Sequence, residues 1–420
     1  MITHQRRINV DVPLVLVAML LTIFGLAMVF SAGQTEVPTQ ATGVWKAQII
    51  WTVVGIIGAF IVSRASVRLI EWLTVPAYAF TLLLLLLLLF GFGSGARTAV
   101  NTAGWLTVGG HRLGQPAELA KLTVVLMLAR VLAQNRVSPK SMAELWKPIL
   151  VCGVPLILIV AQKDLGTAMV FVGIFFAMVF WAGVPWQVLV LLASPVISLI
   201  LSFDPRLWGA WFSLLIALIL WYKPYLGESL FIVSANVLIG VAAPTLWEHL
   251  KPYQQNRIRV FIDPSVDPQG SGYHVLQSQV AIGSGGWFGR GYLEGPQKRL
   301  AFLPEQFTDF IFAVVGEELG FIGVALALTL FLLLFLRVIR ISERANDSFS
   351  SLVAFGLLAS WFTHVLENVG MTLNLMPITG IPLPFFSYGG SFMLACWLAI
   401  GILARISSEG RGGTIGPLRF

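Results

Sequence analysis

Long apolar runs separated by short polar segments make up most of this chain. Lipid admits only helices and closed barrels as spanning structures, because no water is present to satisfy the backbone polar groups. The runs have the length of membrane-spanning helices. About twelve candidate spans meet that criterion: Val12–Ala32, Ala47–Ser63, Trp72–Phe92, Leu119–Ala133, Pro148–Ala161, Leu165–Gly183, Val188–Phe203, Trp208–Tyr222, Leu230–Leu246, Phe310–Phe335, Leu352–Val369 and Phe385–Ala404. The pattern therefore predicts an all-α protein, a polytopic transmembrane helical bundle.

The composition agrees with a protein embedded in lipid. Of the 420 residues, 57% are hydrophobic and only 11% are charged. So low a share of charge cannot solvate the surface of a soluble protein of this length. The first run is long, lacks a small-residue cleavage site and follows Arg6 and Arg7, which favours a retained span over a removed signal peptide. We expect a single integral membrane domain over residues 1–420.

The distribution of Lys and Arg among the short loops indicates the orientation, since cytoplasmic loops hold the excess. With the N-terminus inside, the following residues fall in the cytoplasm: Arg6, Arg7, Arg64, Arg68, Arg136, Lys140, Lys147, Lys223, Arg337, Arg340, Arg344, Arg405, Arg411 and Arg419. Few basic residues remain in the short outside loops: Lys46, Arg97, Arg112, Lys163 and Arg206. We therefore expect both termini to be cytoplasmic.

A long polar stretch, residues 248–308, falls outside and interrupts the alternation of apolar runs. Its glycine-rich segment Gly283–Gly291 lacks the ending and the strand–turn–helix frame of a phosphate-binding loop, so sharp turning and close backbone approach are the favoured interpretation. The basic residues of the stretch are Lys251, Arg257, Arg259, Arg290, Lys298 and Arg299. They form either a solvated face or a surface for an anionic head group or a diphosphate.

Asp309 stands at the membrane edge, where this stretch ends and the next apolar run begins. An Asp in that position can cap a helix N-terminus. A carboxylate at a low-dielectric boundary beside a basic loop is also where a general base would lie. Glu317 and Glu318 follow on the same run, roughly 12 to 14 Å deeper at the usual helical rise. Acids at such depth need partners and are functional candidates.

Further polar residues interrupt or border the apolar runs. Glu118 and Lys121 are spaced i, i+3 and can form a structural ion pair on one helix face. Asp164 stands at an outside helix junction, where it either caps the following helix or joins the same outward cavity as Asp309. The Pro- and Gly-rich stretch Gly380–Ser391 enters the last span, where irregular backbone is tolerated only if protein or a cavity covers it.

Five stretches, taken in order, resemble the signature sequences of the SEDS family, the RodA, FtsW and SpoVE group: Gln115–Lys121, Gln162–Thr167, Tyr273–Gly286, Phe302–Ala313 and Pro382–Ser391. The resemblance covers nearly the whole chain. Three positions depart from the family pattern, with Ala117 in place of Ser, Lys163 in place of Pro and Phe307 in place of His. The family has ten spans, so the resemblance implies one extra hydrophobic pair, assigned to residues 204–247, and an outside location of the large loop before the tenth hydrophobic segment.

The resemblance implies a peptidoglycan glycosyltransferase of the bacterial cytoplasmic membrane that polymerises lipid II into glycan strands at the outer face. Asp309 matches the family's essential aspartate and is the expected general base. The expected candidates for substrate or diphosphate binding are Arg257, Arg259, Arg290, Lys298, Arg299 and Asp164. Those for a structural ion pair or the cavity are Glu118, Lys121, Glu317 and Glu318.

In the implied reaction, the 4-hydroxyl of a lipid II GlcNAc attacks the anomeric carbon of MurNAc on a lipid-linked chain, and undecaprenyl diphosphate leaves. A divalent cation, Mg or Mn, could share the leaving group's charge, but no ligand cluster in the sequence identifies one. The expected partners are lipid II, undecaprenyl-linked glycan, the bilayer and a class B penicillin-binding protein with transpeptidase activity; no nucleic acid is expected. The segment Glu294–Gln297 favours the RodA-like, elongation branch. The alternatives are a lipid II flippase and a noncatalytic scaffold for the transpeptidase.

Overall fold

A computed structural model describes residues 11–94, 104–108, 111–134, 138–249, 255–256, 259–261, 263–267, 270–303 and 305–410. Its helices include α1 (Val12–Ala32), α2 (Val44–Arg64), α3 (Val67–Leu87), α4 (Pro116–Ala133), α5 (Trp146–Ala161), α6 (Leu165–Trp181), α7 (Trp186–Leu201), α8 (Pro205–Tyr222), α9 (Leu226–His249), α10 (Ser271–Gly285), the short α11 (Pro296–Arg299), α12 (Ile311–Glu343), α13 (Ser348–Thr372) and α14 (Gly390–Gly410). Strands β1 (Gly93–Ser94), β2 (Trp105–Val108) and β3 (His111–Gly114) form a small antiparallel sheet between α3 and α4.

The prediction of an all-α transmembrane bundle is confirmed, since each predicted apolar run overlaps a helix, although the last run, predicted from Phe385, is helical only from Gly390. Nine helices of the described part of the chain are long and apolar enough to cross a membrane, and α6 and α7 are shorter apolar helices. The small sheet was not predicted. Its three strands are two to four residues long, too short to give an alternating pattern that the sequence could reveal.

Short polar side chains begin several of these helices. Asp11 accepts a hydrogen bond from the backbone N–H of Leu14 at 3.2 Å, and Asp347 accepts one from the N–H of Ser350 at 2.8 Å. Both bonds satisfy a backbone donor that has no partner within its own helix. The boundaries of α1 and α13 are therefore set locally by the sequence.

The bundle is organised around α13 and α14. The most apolar stretches of these two helices are 78% and 72% buried, whereas that of α8 is only 6% buried. Helix α14 packs along α2, and α13 packs against α4, α6 and α12. Polar side chains that would be costly in lipid therefore find protein partners on α13, while α8 presents apolar side chains outward.

Helices α8 and α9 occupy the region assigned to an inserted hydrophobic pair and pack against α7. A buried polar cluster holds α9 to α7, with Ser198 Oγ 2.6 Å from Asn236 Oδ1 and Asn236 Nδ2 2.8 Å from Ser194 Oγ. Hydrogen bonds of this kind fix helices to one another inside a membrane. That the pair is an addition to the family core stays a prediction.

Helix α12 is broken near its beginning. A straight helix of its 33 residues would measure about 50 Å, against a hydrocarbon core of about 30 Å. Gly320 has φ 62° and ψ −159°, which interrupts the helix and separates a half-helix, residues 311–319, from the spanning part. Residues 311–318 of the half-helix are buried and Leu319 is half-buried, whereas Phe321 and Ile322, just after the break, are 57% and 52% exposed. The predicted span from Phe310 is therefore a helix interrupted at Gly320, and the depth assigned to Glu317 and Glu318 from a continuous helical rise does not follow.

Candidate active site

Asp309 lies in a turn immediately before the half-helix. Its backbone N–H donates to the carbonyl oxygen of Glu305 at 3.1 Å, and its own carbonyl oxygen accepts from Asn368 Nδ2 at 2.8 Å. Helix α12 begins at Ile311 after Phe310, and no side chain caps it. The capping role considered for Asp309 is therefore wrong, and its carboxylate is left available to the site.

The environment of the Asp309 carboxylate favours its protonated form. Burial raises the pKa of Asp309 to about 7, and the carboxylates of Glu305 and Asp164 add to that increase, while the Thr308 hydroxyl acts in the opposite direction. The side chain is nevertheless partly exposed. A carboxyl group with a pKa near neutrality can accept a proton and still be ionised in a useful fraction of molecules.

Asp164 lies on the neighbouring wall of the site, at the start of α6. Its carboxylate accepts from the backbone N–H of Thr167 at 3.0 Å and from the Thr167 hydroxyl at 2.9 Å, so it caps the helix. Gln115 Nε2, at the start of α4, also donates to it at 3.1 Å. The Asp164 carboxylate also raises the pKa of Asp309. Asp164 therefore both caps α6 and belongs to the same site as Asp309.

The segment 379–381 lies beside Asp309 and beside the start of α6, which Asp164 caps. Gly380 has φ 72°, a backbone conformation that favours glycine, and a Cβ atom added there would lie 3.2 Å from Asp309 Oδ2. A side chain at position 380 would therefore crowd the carboxylate. Asn368 Nδ2 donates to the carbonyl oxygen of Ile381 at 2.7 Å and so fastens this segment to α13.

Glu118 and Lys121 form the predicted ion pair, with Lys121 Nζ 2.8 Å from Glu118 Oε2 and both side chains buried. A third member was not predicted. Lys121 Nζ is 2.7 Å from His364 Nε2, and His364 Nδ1 is 2.9 Å from the carbonyl oxygen of Pro382. With Nδ1 donating to the carbonyl oxygen, Nε2 accepts from the ammonium group. The cluster joins α4, α13 and the segment that leads into α14.

The basic residues of the polar stretch differ in whether their side chains are exposed and able to bind an anionic ligand. Arg259 and Arg290 are exposed, the Arg259 guanidinium lying 5.8 Å from the centre of the Trp247 ring. Arg299 is exposed and pairs with Glu36 at 3.1 Å. Arg257 lies outside the described residues.

Lys298 was predicted to bind substrate or diphosphate, but its side chain is 0% exposed and its Nζ lies 2.8 Å from Glu318 Oε1. A fully buried lysine that is already paired cannot receive a diphosphate, so its assignment as a binding residue is wrong. Glu318 is its partner, and the Glu317 carboxylate accepts from the backbone N–H groups of Gln297 and Lys298 at 2.7 and 3.2 Å.

Three polar residues of α13 were missed at the sequence level: His364, Glu367 and Asn368. All three are at most 1% exposed, although they lie inside a predicted span. Polar side chains within an apolar run were the available signal, since such residues face the bundle interior or a cavity. Among the described residues, no group of three or more His, Cys, Asp or Glu side chains could hold a metal ion, so a divalent cation stays an expectation.

The fold and the site define a polytopic helical membrane protein with a carboxylate-bearing site where several helix ends meet. The chain matches the model of the FtsW, RodA and SpoVE family, described as a cell cycle protein, over residues 12–210 and 208–412. It belongs to that family, as its signature stretches predicted.

Relatives of known name agree over nearly full length. Peptidoglycan glycosyltransferase RodA of Treponema pallidum is 34% identical, over 95% of this chain and 98% of the relative. Peptidoglycan glycosyltransferase MrdB of Escherichia coli is 31% identical, over 97% and 96%. Among solved structures, RodA of Thermus thermophilus is 25% identical with a TM-score of 0.61, covering 96% of this chain and 98% of that chain. A chain from a peptidoglycan synthase complex that coordinates polymerization and crosslinking is 26% identical with a TM-score of 0.70, at the same coverage.

Proposed function

We propose that this protein is a peptidoglycan glycosyltransferase that polymerises lipid II, with Asp309 as the general base. The observation that carries the proposal is the state of Asp309: partly exposed, free of any helix-capping bond and with its pKa raised to about 7. A general base works best when its pKa lies near the operating pH. The names of the relatives supply the reaction class.

In the proposed reaction, Asp309 removes the proton from the 4-hydroxyl of a lipid II GlcNAc. The hydroxyl oxygen forms the new bond to the anomeric carbon of the lipid-linked MurNAc, with inversion. The bond from that carbon to the diphosphate oxygen breaks, and the electron pair leaves with undecaprenyl diphosphate. The exposed guanidinium groups of Arg259, Arg290 and Arg299 are the described candidates for stabilising the charge of the diphosphate.

The site lies in the outer part of the cytoplasmic membrane in this proposal, with both termini in the cytoplasm. The excess of Lys and Arg in the loops at the opposite end of the bundle supports that orientation. The two matched stretches of the family model together include α8 and α9, and an added pair at residues 204–247 stays a prediction. A role in elongation, in complex with a class B penicillin-binding transpeptidase, is part of the same proposal.

Purified, monodisperse protein supplied with its transpeptidase partner and labelled lipid II in detergent tests the activity directly. Glycan strands on a gel are expected from the wild type. Neither a flippase nor a noncatalytic scaffold can make strands, so their absence would favour one of those alternatives. The burial of Glu118 and Lys121 in a complete ion pair leaves those charges poorly suited to a head group crossing the bilayer.

The role of Asp309 is tested by Asp309→Asn, which keeps the size of the side chain and removes the base. We expect strand synthesis to fall roughly 10²- to 10⁴-fold with little change in folded yield. Asp309→Glu restores a carboxylate that is displaced by one methylene and should be impaired less. Asp204→Asn, at the cap of α8, is the matched control. An Asp309→Asn rate above about a tenth of wild type would remove Asp309 from the role of base.

A further inference from the structure

A fully buried ion pair joins the polar stretch to the half-helix that follows Asp309. Lys298 Nζ lies 2.8 Å from Glu318 Oε1, and both side chains are 0% exposed. The hydroxyl of Ser31, in the last turn of α1, donates to the Glu318 carboxylate at 2.7 Å and lies 3.2 Å from Lys298 Nζ. The end of α1, the polar stretch and the half-helix therefore meet at one charged centre.

The ion pair closes the chain between its two members into a ring, and Asp309 lies within that ring. Backbone contacts reinforce the closure, because the Glu317 carboxylate accepts from the N–H groups of Gln297 and Lys298. Gln306 Nε2 donates to the carbonyl oxygen of Ala32 at 2.8 Å and to that of Lys298 at 3.3 Å. The turn that carries Asp309 is thus tied to the end of α1 and to Lys298.

The glycine-rich segment, Gly283–Gly291, forms backbone hydrogen bonds with the end of the half-helix. The backbone N–H of Arg290 donates to the carbonyl oxygen of Glu317 at 2.9 Å, and that of Gly291 donates to the carbonyl oxygen of Glu318 at 3.0 Å. Gly289 and Gly320 lie so close that a Cβ atom on either would overlap backbone atoms of the opposite segment. The half-helix is held at both ends and cannot shift without breaking these contacts.

The buried pair of Lys298 and Glu318 is not explained by a gain in folding stability alone. A buried ion pair generally contributes little more than well-packed apolar side chains of the same volume, because removing two charges from water offsets their attraction. What a paired charge adds is a defined geometry. A rigid half-helix of nine residues passes that geometry on to the turn at its other end, where small displacements of a reacting group are costly.

We propose that Lys298, Glu318 and Ser31 are positioning residues that fix the Asp309 carboxylate through the half-helix. They touch neither the substrate nor the reacting atoms. The inference rests on the proposed role of Asp309 in catalysis. The proposal also connects the end of α1 to the site, because the Ser31 hydroxyl contacts both Glu318 and Lys298.

The test replaces the ion pair with apolar side chains in the full-length protein, as Lys298→Met combined with Glu318→Leu, so that no charge is left buried alone. We expect a folded protein with a Tm close to wild type and strand synthesis per folded molecule lowered about tenfold or more, mainly in kcat. The charge-reversed pair, Lys298→Glu with Glu318→Lys, should recover part of the rate. Arg405→Gln with Glu409→Gln, an ion pair at the other end of the bundle, is the matched control and should retain the wild-type rate.

Hydrogen–deuterium exchange of peptides covering residues 305–316 is the second readout and does not depend on activity. We expect faster exchange there in the apolar variant and no change in the control. Wild-type exchange together with a wild-type rate in the apolar variant would overturn the proposal. If that variant does not fold, Ser31→Ala, which removes only one hydroxyl, is measured in the same way, and unchanged exchange would overturn it. A wild-type protein that makes no strands would instead refute the proposed function.

Discussion

The side-chain amide of Asn368 holds the backbone of Asp309. Its Nδ2 atom donates to the Asp309 carbonyl oxygen at 2.8 Å and to the Ile381 carbonyl oxygen at 2.7 Å, and the residue is 0% exposed. One NH₂ group therefore joins α13, the turn before α12 and the segment 379–381. The backbone of the proposed base is fixed by a residue that takes no part in the chemistry.

Replacement of Asn368 by Leu keeps the approximate size and removes both donors. Two buried carbonyl oxygens then lose a partner, at a cost of about 1 to 3 kcal/mol each. We expect a lower Tm and reduced strand synthesis per folded molecule. Asn346→Leu, which removes a hydrogen bond to the Glu409 carbonyl oxygen at an exposed position, is the control. Equal stability of the two variants would contradict the role given to Asn368.

The pH dependence of strand synthesis should follow ionisation of Asp309. The base must be deprotonated, and its pKa is raised to about 7, so the rate should rise with pH up to about 7 and level off above it. The Glu305 carboxylate contributes to that increase, so Glu305→Gln should move the midpoint to lower pH. Glu343→Gln, at the far end of α12, should leave the midpoint in place. A midpoint that shifts equally in both variants, or in neither, would contradict the electrostatic argument.

Lys163, one of the three departures from the pattern that the resemblance implies, adopts a backbone that the expected proline cannot. Its φ is 64°, whereas proline fixes φ near −65°, and its N–H donates to the Val160 carbonyl oxygen at 2.9 Å. Lys163→Pro should therefore be strongly destabilising in this protein. Lys163→Gly should raise stability by about 1 kcal/mol, because glycine adopts a positive φ without steric cost. Thermal unfolding of both variants decides, and a stable Lys163→Pro protein would contradict this backbone conformation.

Much of the fold could be predicted from the sequence because lipid imposes a simple rule. Spanning segments must be long, apolar and helical, so the twelve runs and their order were visible directly. The break at Gly320 was not visible, since apolar residues follow it directly and a glycine is compatible with a spanning helix. The break depends on Gly289 and its neighbours, which reach Gly320 only after the polar stretch has folded back.

The candidate site also contains some residues that the sequence indicated and others that it did not. Asp309 and Asp164 were predicted because each stands alone at the edge of an apolar run. Lys298 was wrongly placed, since a sequence shows a basic residue but not the buried Glu318 that pairs with it. Glu367 and Asn368 were not predicted although both interrupt a predicted span, because their burial against neighbouring helices depends on packing that the sequence does not show.

Lys121 has two partners, Glu118 and His364, and its loss leaves a buried carboxylate without a cation. Breaking one partner of a buried pair costs about 3 to 5 kcal/mol. Lys121→Met should therefore lower folded yield strongly, and adding Glu118→Gln should restore part of it because the uncompensated charge is gone. Detergent-extracted, monodisperse yield is the measurement. A double variant no better than the single one would indicate that His364, rather than Glu118, is the partner that matters.

Glu367 differs from Glu118, because in the described part of the chain no ion pair compensates its buried carboxyl group. It is 1% exposed, and its carboxylate lies beside the Thr379 hydroxyl, but the two groups form no hydrogen bond of good geometry. An unsatisfied buried polar group costs about 1 to 3 kcal/mol, and a charge costs more. Glu367→Gln removes the capacity for charge at constant size, so it should raise the Tm by about 2 °C or more. Glu118→Gln, which breaks an existing ion pair, should lower the Tm under the same conditions. A lower Tm for Glu367→Gln would mean that Glu367 is ionised and held by Lys121, the basic residue that acts on it electrostatically.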